Sequence, residues 1–127
     1  MEYKQKGHIL YLSGPITGNK DYVRDFGTAA YALKTQGYKV INPASMDNVF
    51  PEGTDYETYM KIDLQLLDMA TVMVQLPGWE KSLGCNREYG YALAAGKMII
   101  QYENLVGENN GNKKEKIRLF IGGISYD

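Results

Sequence analysis

Residues 8–18 read HILYLSGPITG, an apolar run that stops at a Gly-Pro pair. A short apolar run that ends in residues which break regular structure is typical of a buried β-strand leading into a loop. Glycines at positions 14 and 18 let the backbone pass close to a ligand and direct N–H groups towards an anion. An ordinary tight turn between a strand and a helix would contain the same residues, so this stretch alone leaves both interpretations open.

The chain alternates between strand-like and helical patterns. Apolar residues recur at helical spacing in three segments, which we predict as helices: 21–36, 55–68 and 82–95. Short apolar runs predict four strands: 8–13, 38–42, 71–76 and 97–102. Two segments without periodicity are predicted as surface loops: 44–54 and 103–115. This order predicts one α/β domain over residues 1–127, a three-layer sandwich with an open parallel sheet of the flavodoxin or Rossmann type.

The composition limits the chemistry that the chain can perform. Fourteen basic and fifteen acidic residues give a net charge of −1, so no overall positive field attracts a nucleic-acid polymer. With one Cys and one His, the chain cannot build a zinc finger, a Cys–His metal cluster or an internal disulfide, and a Ser–His–Asp triad would depend on His8 alone. Carboxylates, eleven Tyr and fourteen Gly are plentiful. We therefore expect any catalysis to use those groups, without a metal or a cofactor.

No part of the sequence indicates export or a membrane. The first seven residues are polar and lack the apolar core of a signal peptide, and no run of about 18 apolar residues occurs. The expected location is therefore the cytoplasm, with no membrane partner.

The loop after the third predicted strand, LPGWEKSLG at 76–84, is a second candidate for ligand binding. In open parallel sheets, ligands bind beyond the carboxyl ends of the strands, where this loop and the first glycine loop lie. Ser82 and the free N–H groups that begin the next helix would make an anion site, although Ser82 could equally serve only as the helix cap. Trp79 would either stack on a flat ligand or cover the edge of the core.

Two carboxylates stand among small or apolar neighbours. Glu88 is predicted in the second turn of the third helix, where a hydroxyl such as that of Tyr11 would keep it ionised despite partial burial, as a carboxylate nucleophile requires. The alternative is a solvated position on the helix surface. Asp63, on the second helix, would either join Glu88 or be an exposed residue paired with Lys61 or Arg87. A pair of carboxylates suits cleavage at an anomeric carbon, where one group is ionised and the other protonated.

Five segments of the sequence, taken in order, match a known family. They are LYLSGPITG (10–18), YVRDF (22–26), VINP (40–43), YMKIDL (59–64) and LPGWEKSLG (76–84), and the last continues to Glu88. As an ordered set, they resemble the DUF4406 family, a group within the nucleoside 2-deoxyribosyltransferase-like superfamily. In that superfamily a glutamate attacks the anomeric carbon of a 2-deoxynucleoside or its 5′-phosphate. The base leaves, and the sugar passes to another base or to water.

The resemblance implies roles for individual residues. Its Ser-x-Gly-x-x-x-Glu motif falls on Ser82 and Glu88, which makes Glu88 the expected nucleophile. Asp63 and Tyr11 match the other two catalytic positions. In the nucleotide hydrolase branch, the serine and the first glycine loop hold a 5′-phosphate. That role falls here on Ser82, Gly14 and Gly18. The full set of expected ligand-binding residues also includes Ser13, Ile16, Arg24, Trp79 and Gly84.

The chain departs from that pattern in two ways. The hydrolases carry an arginine in the first loop where this chain has Thr17 and Gly18, so Arg24 or Lys20 would have to supply the charge. Members of the superfamily also complete their sites with a polar residue from the C-terminal region of a neighbouring subunit, which implies a homodimer or a larger homo-oligomer. Four residues are candidates for that role: Asn109, Asn110, Asn112 and Ser125.

Two hypotheses about function follow. The first is an N-glycosidase or deoxyribosyltransferase that acts on a nucleoside or nucleotide, with Glu88 as nucleophile and Asp63 assisting proton transfer to the base. The second is a protein that binds a nucleotide or a nucleotide signal without turnover, such as a phage-type sponge or sensor. The missing first-loop arginine favours this second hypothesis. Release of free base would separate the two.

Overall fold

A four-stranded parallel sheet forms the centre of the protein. The structure, a computed structural model, describes residues 8–106 of the chain. The strands are β1 (Ile9–Ser13), β2 (Lys39–Ile41), β3 (Val72–Gln75) and β4 (Met98–Gln101), in the spatial order β2-β1-β3-β4. All neighbouring pairs are parallel, and Leu10 of β1 lies opposite Val40 on one side and Val72 on the other. Each strand lies within the segment predicted for it.

Helices cover both faces of this sheet. Helix α1 (Tyr22–Lys34) and the short α4 (Tyr102–Val106) lie on one face, while α2 (Tyr56–Asp68) and α3 (Leu83–Ala94) pack on the other. Because side chains alternate along a strand, Leu10 and Leu12 join the core under α1, whereas Tyr11 joins the core under α2 and α3. The predicted three-layer α/β sandwich with an open parallel sheet is therefore confirmed. None of the helices in residues 8–106 is long and apolar enough to cross a membrane.

The helices begin and end at residues with suitable local chemistry. Asp55 caps α2, since its side chain accepts a hydrogen bond from the N–H of Thr58 at 2.9 Å. Gly37 follows α1 with a φ of 97°, a left-handed backbone conformation that glycine adopts without steric cost. The inward face of α1 has apolar residues at spacings of three and four: Phe26, Ala29, Ala30 and Leu33.

Two segments predicted as loops contain helical turns. Pro43–Val49 forms a 3₁₀-helix, and the side chain of Asn42 caps it by accepting a hydrogen bond from the N–H of Ala44 at 3.0 Å. A 3₁₀-helix has three residues per turn, so a search for the α-helical period does not detect it. The start of the second predicted loop forms α4, because Leu105 is buried in the core. The rest of that predicted loop, 107–115, lies outside the described residues.

The strand order brings two loops together at the carboxyl edge of the sheet. The chain leaves β1 towards β2 on one side and later crosses to β3 on the other, and a ligand crevice forms where neighbouring connections diverge in this way. Gly14 follows β1 and lies against Leu76, which follows β3. A Cβ atom at Gly14 would lie 2.8 Å from Cδ1 and 3.0 Å from Cβ of Leu76. This close approach explains why the position is occupied by glycine.

Replacing Gly14 with alanine should destabilise the fold. The new methyl group would overlap Leu76, and overpacking of this kind costs about 1–3 kcal/mol. Gly27→Ala is the matched control: Gly27 lies within α1 with open space around it, so alanine should stabilise the protein by roughly 0.5–1 kcal/mol. Urea unfolding of both variants measures the two effects. A Gly14→Ala variant as stable as the wild type would contradict the close contact.

Candidate active site

Helix α3 carries Glu88 into the interior of the protein. The helix begins after Ser82, whose hydroxyl oxygen accepts a hydrogen bond from the N–H of Cys85 at 3.2 Å, as predicted for a helix cap. Glu88 lies in the second turn and has only 6% of its surface exposed. Of the two positions that the sequence left open for Glu88, partly buried or solvated on the helix surface, the structure shows the buried one, and the burial is nearly complete.

Two hydroxyl groups of β1 hold the carboxylate of Glu88. Tyr11 Oη donates a hydrogen bond to Oε2 and Ser13 Oγ donates one to Oε1, both over 2.6 Å. Tyr11 and Ser13 are two residues apart on a strand, so their side chains lie on the same face of the sheet. A distance of 2.6 Å is typical of a hydroxyl bound to an ionised carboxylate. The predicted contact with Tyr11 is confirmed, while Ser13, expected among the ligand-binding residues, contacts Glu88.

Burial and hydrogen bonding act in opposite directions on Glu88. Burial raises the pKa of its carboxyl above the usual value, and the hydrogen bonds from Ser13 and Tyr11 oppose that rise. Burial and the charge of Glu88 hold the pKa of Tyr11 well above its usual value, so the phenol keeps its proton. Among the described residues, no cation forms an ion pair with Glu88. Neutral donors therefore hold the carboxylate without neutralising its charge.

A pocket of about 400 Å³ opens beside Glu88. This volume is in the range of sites that bind small molecules. Five other residues from the sequence-predicted site line it: Gly14, Ile16, Asp63, Ser82 and Gly84. The structure thus brings together both carboxylates, the first glycine loop and the beginning of α3. Within residues 8–106, no group of His, Cys, Asp or Glu side chains has the arrangement of a metal site.

Asp63 reaches the pocket from α2. It is half-buried, and burial, followed by the charges of Glu88 and Asp47, raises the pKa of its carboxyl to about 7. The alternative in which Asp63 pairs with Arg87 is wrong, because Arg87 donates to both carboxylate oxygens of Glu57 at 3.0 Å. The pocket therefore contains one carboxyl that gains and loses its proton near neutral pH, and a second that is held by hydroxyl donors.

Several residues expected at the site lie away from this pocket. Arg24 and Lys20 are exposed. Arg24 faces solvent because the apolar residues of α1 occupy the opposite side of the helix, and its guanidinium pairs with Asp21 at 3.3 Å and with Asp25 at 3.5 Å. Trp79 packs against Tyr89 with ring centroids 5.2 Å apart, and Gly18 is exposed outside the pocket lining. The candidates for a residue donated by a second subunit lie outside the described residues: Asn109, Asn110, Asn112 and Ser125.

The outer wall of the pocket consists of residues that were not predicted at the site from the sequence. Tyr22, at the start of α1, donates a hydrogen bond to Asp47 of the 3₁₀-helix, and Phe50 stacks on Tyr59 with ring centroids 4.4 Å apart. The segment 43–54 follows β2 at the carboxyl edge, so the rule that ligands bind at this edge could have indicated it. The residues of this wall that line the pocket are Thr17, Tyr22, Pro43, Asp47, Thr54, Tyr56, Tyr59, Met60 and Cys85.

The part of the chain that forms this site matches a known family. A family model described as a domain of unknown function, DUF4406, matches residues 8–101. A search among curated proteins gave no match. The matched range includes all four strands, both hydroxyl donors to Glu88 and every described residue that lines the pocket. Because the match covers most of the chain, the protein belongs to the DUF4406 family.

Proposed function

We propose that this protein cleaves the N-glycosidic bond of a (deoxy)nucleoside or its 5′-monophosphate, and that its family lies within the nucleoside 2-deoxyribosyltransferase-like superfamily. The observation that carries the proposal is the buried carboxylate of Glu88, held by two hydroxyl groups at 2.6 Å beside a pocket with a second carboxyl. Burial of a charge without a cation costs free energy. A catalytic role explains why the chain retains this group.

Glu88 and Asp63 divide the proposed reaction between them. A carboxylate oxygen of Glu88 attacks C1′ of the sugar while the bond from C1′ to the base nitrogen breaks, and Asp63 gives its proton to the departing base. Water or a second base then attacks C1′, loses a proton to Asp63 and releases Glu88. Attack by water completes hydrolysis, whereas attack by a base completes transfer of the sugar.

The hydroxyl groups of β1 orient the nucleophile in this reaction. Because Tyr11 and Ser13 each bind a different oxygen of Glu88, the carboxylate is fixed in rotation before the substrate arrives. A nucleophile held in position avoids part of the entropy cost of reaching the transition state. Gly14 and Gly84 add little bulk to the pocket lining, so a ligand can approach the backbone closely there.

Base release tests the proposal directly. The protein is incubated with the common deoxynucleosides, ribonucleosides and their 5′-monophosphates, with and without a second free base, and the products are separated by chromatography. We expect free base in the absence of an acceptor if water attacks, and a new nucleoside in its presence if a base attacks. Recovery of every compound intact, with a ligand-induced rise in melting temperature, would contradict cleavage and favour binding without turnover.

We also propose that the protein acts in the cytoplasm as a homodimer or a larger homo-oligomer. The support is the resemblance to a superfamily whose members complete each site with a residue from a neighbouring subunit. Light scattering on the purified protein measures the assembly, and an active monomer would contradict this part of the proposal.

A further inference from the structure

A third carboxylate lines the pocket, and the proposed reaction does not use it. Asp47 belongs to the 3₁₀-helix that follows β2 and is half-buried. The phenol of Tyr22 donates a hydrogen bond to Oδ2 of Asp47. This hydrogen bond raises the pKa of Tyr22 to about 12, so the phenol keeps its proton. Oδ1 has no hydrogen-bond partner among the described residues. One oxygen of Asp47 is thus fixed by the protein, and the other remains available to a ligand.

No basic side chain in the described lining of the pocket offsets its negative charge. Asp47, Asp63 and Glu88 all line the pocket, and its described lining contains no Lys, Arg or His. Arg24 and Arg87, on the flanking helices, pair with carboxylates outside the pocket. The beginning of α3 contributes only about half a positive charge. With Asp63 protonated and both Asp47 and Glu88 ionised, the pocket keeps a net negative charge.

We propose that Asp47, oriented by Tyr22, sets the specificity of the pocket: its free oxygen accepts a hydrogen bond from the ligand, and its charge excludes ligands that carry a phosphate. The inference rests on the proposed function and narrows its substrates to unphosphorylated nucleosides. A carboxylate only accepts hydrogen bonds, and a nucleoside offers neutral N–H and O–H donors on its base and sugar. A phosphate in the same pocket would meet like charges, which reject a ligand by repulsion.

Kinetic discrimination between a deoxynucleoside and its 5′-monophosphate tests this role. We expect the wild type to prefer the nucleoside in kcat/KM by about tenfold or more, and Asp47→Asn to reduce that preference by about tenfold, because one like charge nearby in a partly solvated pocket has an effect of this size. Tyr22→Phe keeps the charge of Asp47 but removes the hydrogen bond that orients it. KM should therefore rise, while the preference for the nucleoside over its monophosphate stays unchanged. Asp25→Asn removes an exposed carboxylate outside the nucleoside pocket and should change neither quantity.

The outcomes separate this inference from the proposed function. Equal or better use of the monophosphate by the wild type, or an unchanged preference in Asp47→Asn, overturns the role of Asp47 and leaves glycosidic cleavage standing. If no compound is cleaved, the proposed function fails, and titration calorimetry compares the two ligand classes on the same four proteins. Tighter binding of the nucleoside, with a preference that falls in Asp47→Asn, then supports the inference. An unchanged preference or no binding overturns it.

Discussion

Replacement of Glu88 by glutamine should reduce base release by on the order of 10⁴-fold or more, because a neutral amide neither attacks C1′ nor meets the positive charge that develops on the sugar. The shape of the side chain is kept. The amide oxygen can accept a hydrogen bond from one of the two β1 hydroxyls, and the amide nitrogen can donate to the other. We therefore expect a folded protein without activity. Measurements of kcat/KM and of thermal unfolding on the same preparation test both parts.

Glu88→Ala separates the chemical role of the carboxylate from its place in the structure. This variant leaves the hydroxyls of Tyr11 and Ser13 without their acceptor, at a cost of about 1–3 kcal/mol each, which loss of the buried charge partly offsets. Added azide or formate should restore some turnover to Glu88→Ala, which has space for the anion, but not to Glu88→Gln. The exposed Glu103 of α4 provides the control, since Glu103→Gln should remain fully active. Undiminished base release by Glu88→Gln would contradict the assignment of the nucleophile.

The sheet and the centre of the site could be predicted because their signals are local in the sequence. A buried parallel strand is apolar on both faces, so it forms a continuous run, and all four strands lie within one residue of the predicted bounds at each end. Glu88 was conspicuous as a charge among small and apolar neighbours. A hydroxyl partner such as Tyr11 is predictable because β1 and the beginning of the third helix both lie near the carboxyl edge of the sheet.

The outer wall of the pocket depends on contacts that local patterns do not encode. Tyr22 and Asp47 lie 25 residues apart, and their hydrogen bond exists only because the 3₁₀-helix after β2 packs against the start of α1. Arg24 shows the opposite case. It is close to the first glycine loop along the chain, yet its position on the solvent side of α1 keeps it out of the pocket. Whether a residue belongs to the site depends on where its side chain points in the folded protein, rather than on how close it is to other site residues in the sequence.

The proton on Asp63 should make base release depend on pH above neutrality. Burial and the neighbouring charges raise the pKa of Asp63 to about 7, so the form that can protonate the departing base is lost as the pH rises through that value. We expect kcat/KM to fall by about tenfold for each pH unit above this pKa. Asp63→Asn should lower kcat by roughly 10²–10⁴-fold and abolish that decline. A profile from about pH 5 to about pH 10 measures both effects.

The leaving group shows whether Asp63 acts as an acid. A nitrophenyl deoxyriboside releases an anion that needs no proton, so Asp63→Asn should cleave it almost as fast as the wild type does. Asp68→Asn removes a carboxylate from the exposed end of the same helix and should leave the rates on both substrates unchanged. Equal losses by Asp63→Asn on the nucleoside and on the nitrophenyl compound would mean that Asp63 only supports the structure.

Asp63 should also make the folded protein less stable as the pH rises. Its pKa is 3.8 in an ordinary setting and about 7 in the fold, so the folded state binds this proton more tightly, and the resulting stabilisation is complete below pH 3.8 and lost as the pH passes through 7. Asparagine has no proton to lose. Asp63→Asn should therefore be more stable than the wild type at about pH 8 by roughly 2 kcal/mol. This is about half of what the difference in pKa between the two states gives at about 1.4 kcal/mol per pH unit, because solvent screens the carboxyl. Near pH 4 the two proteins should differ little in stability. Urea unfolding at both pH values measures this, and a pH-independent difference would contradict it. A variant that is more stable but much slower would mean that the chain retains Asp63 for its chemistry.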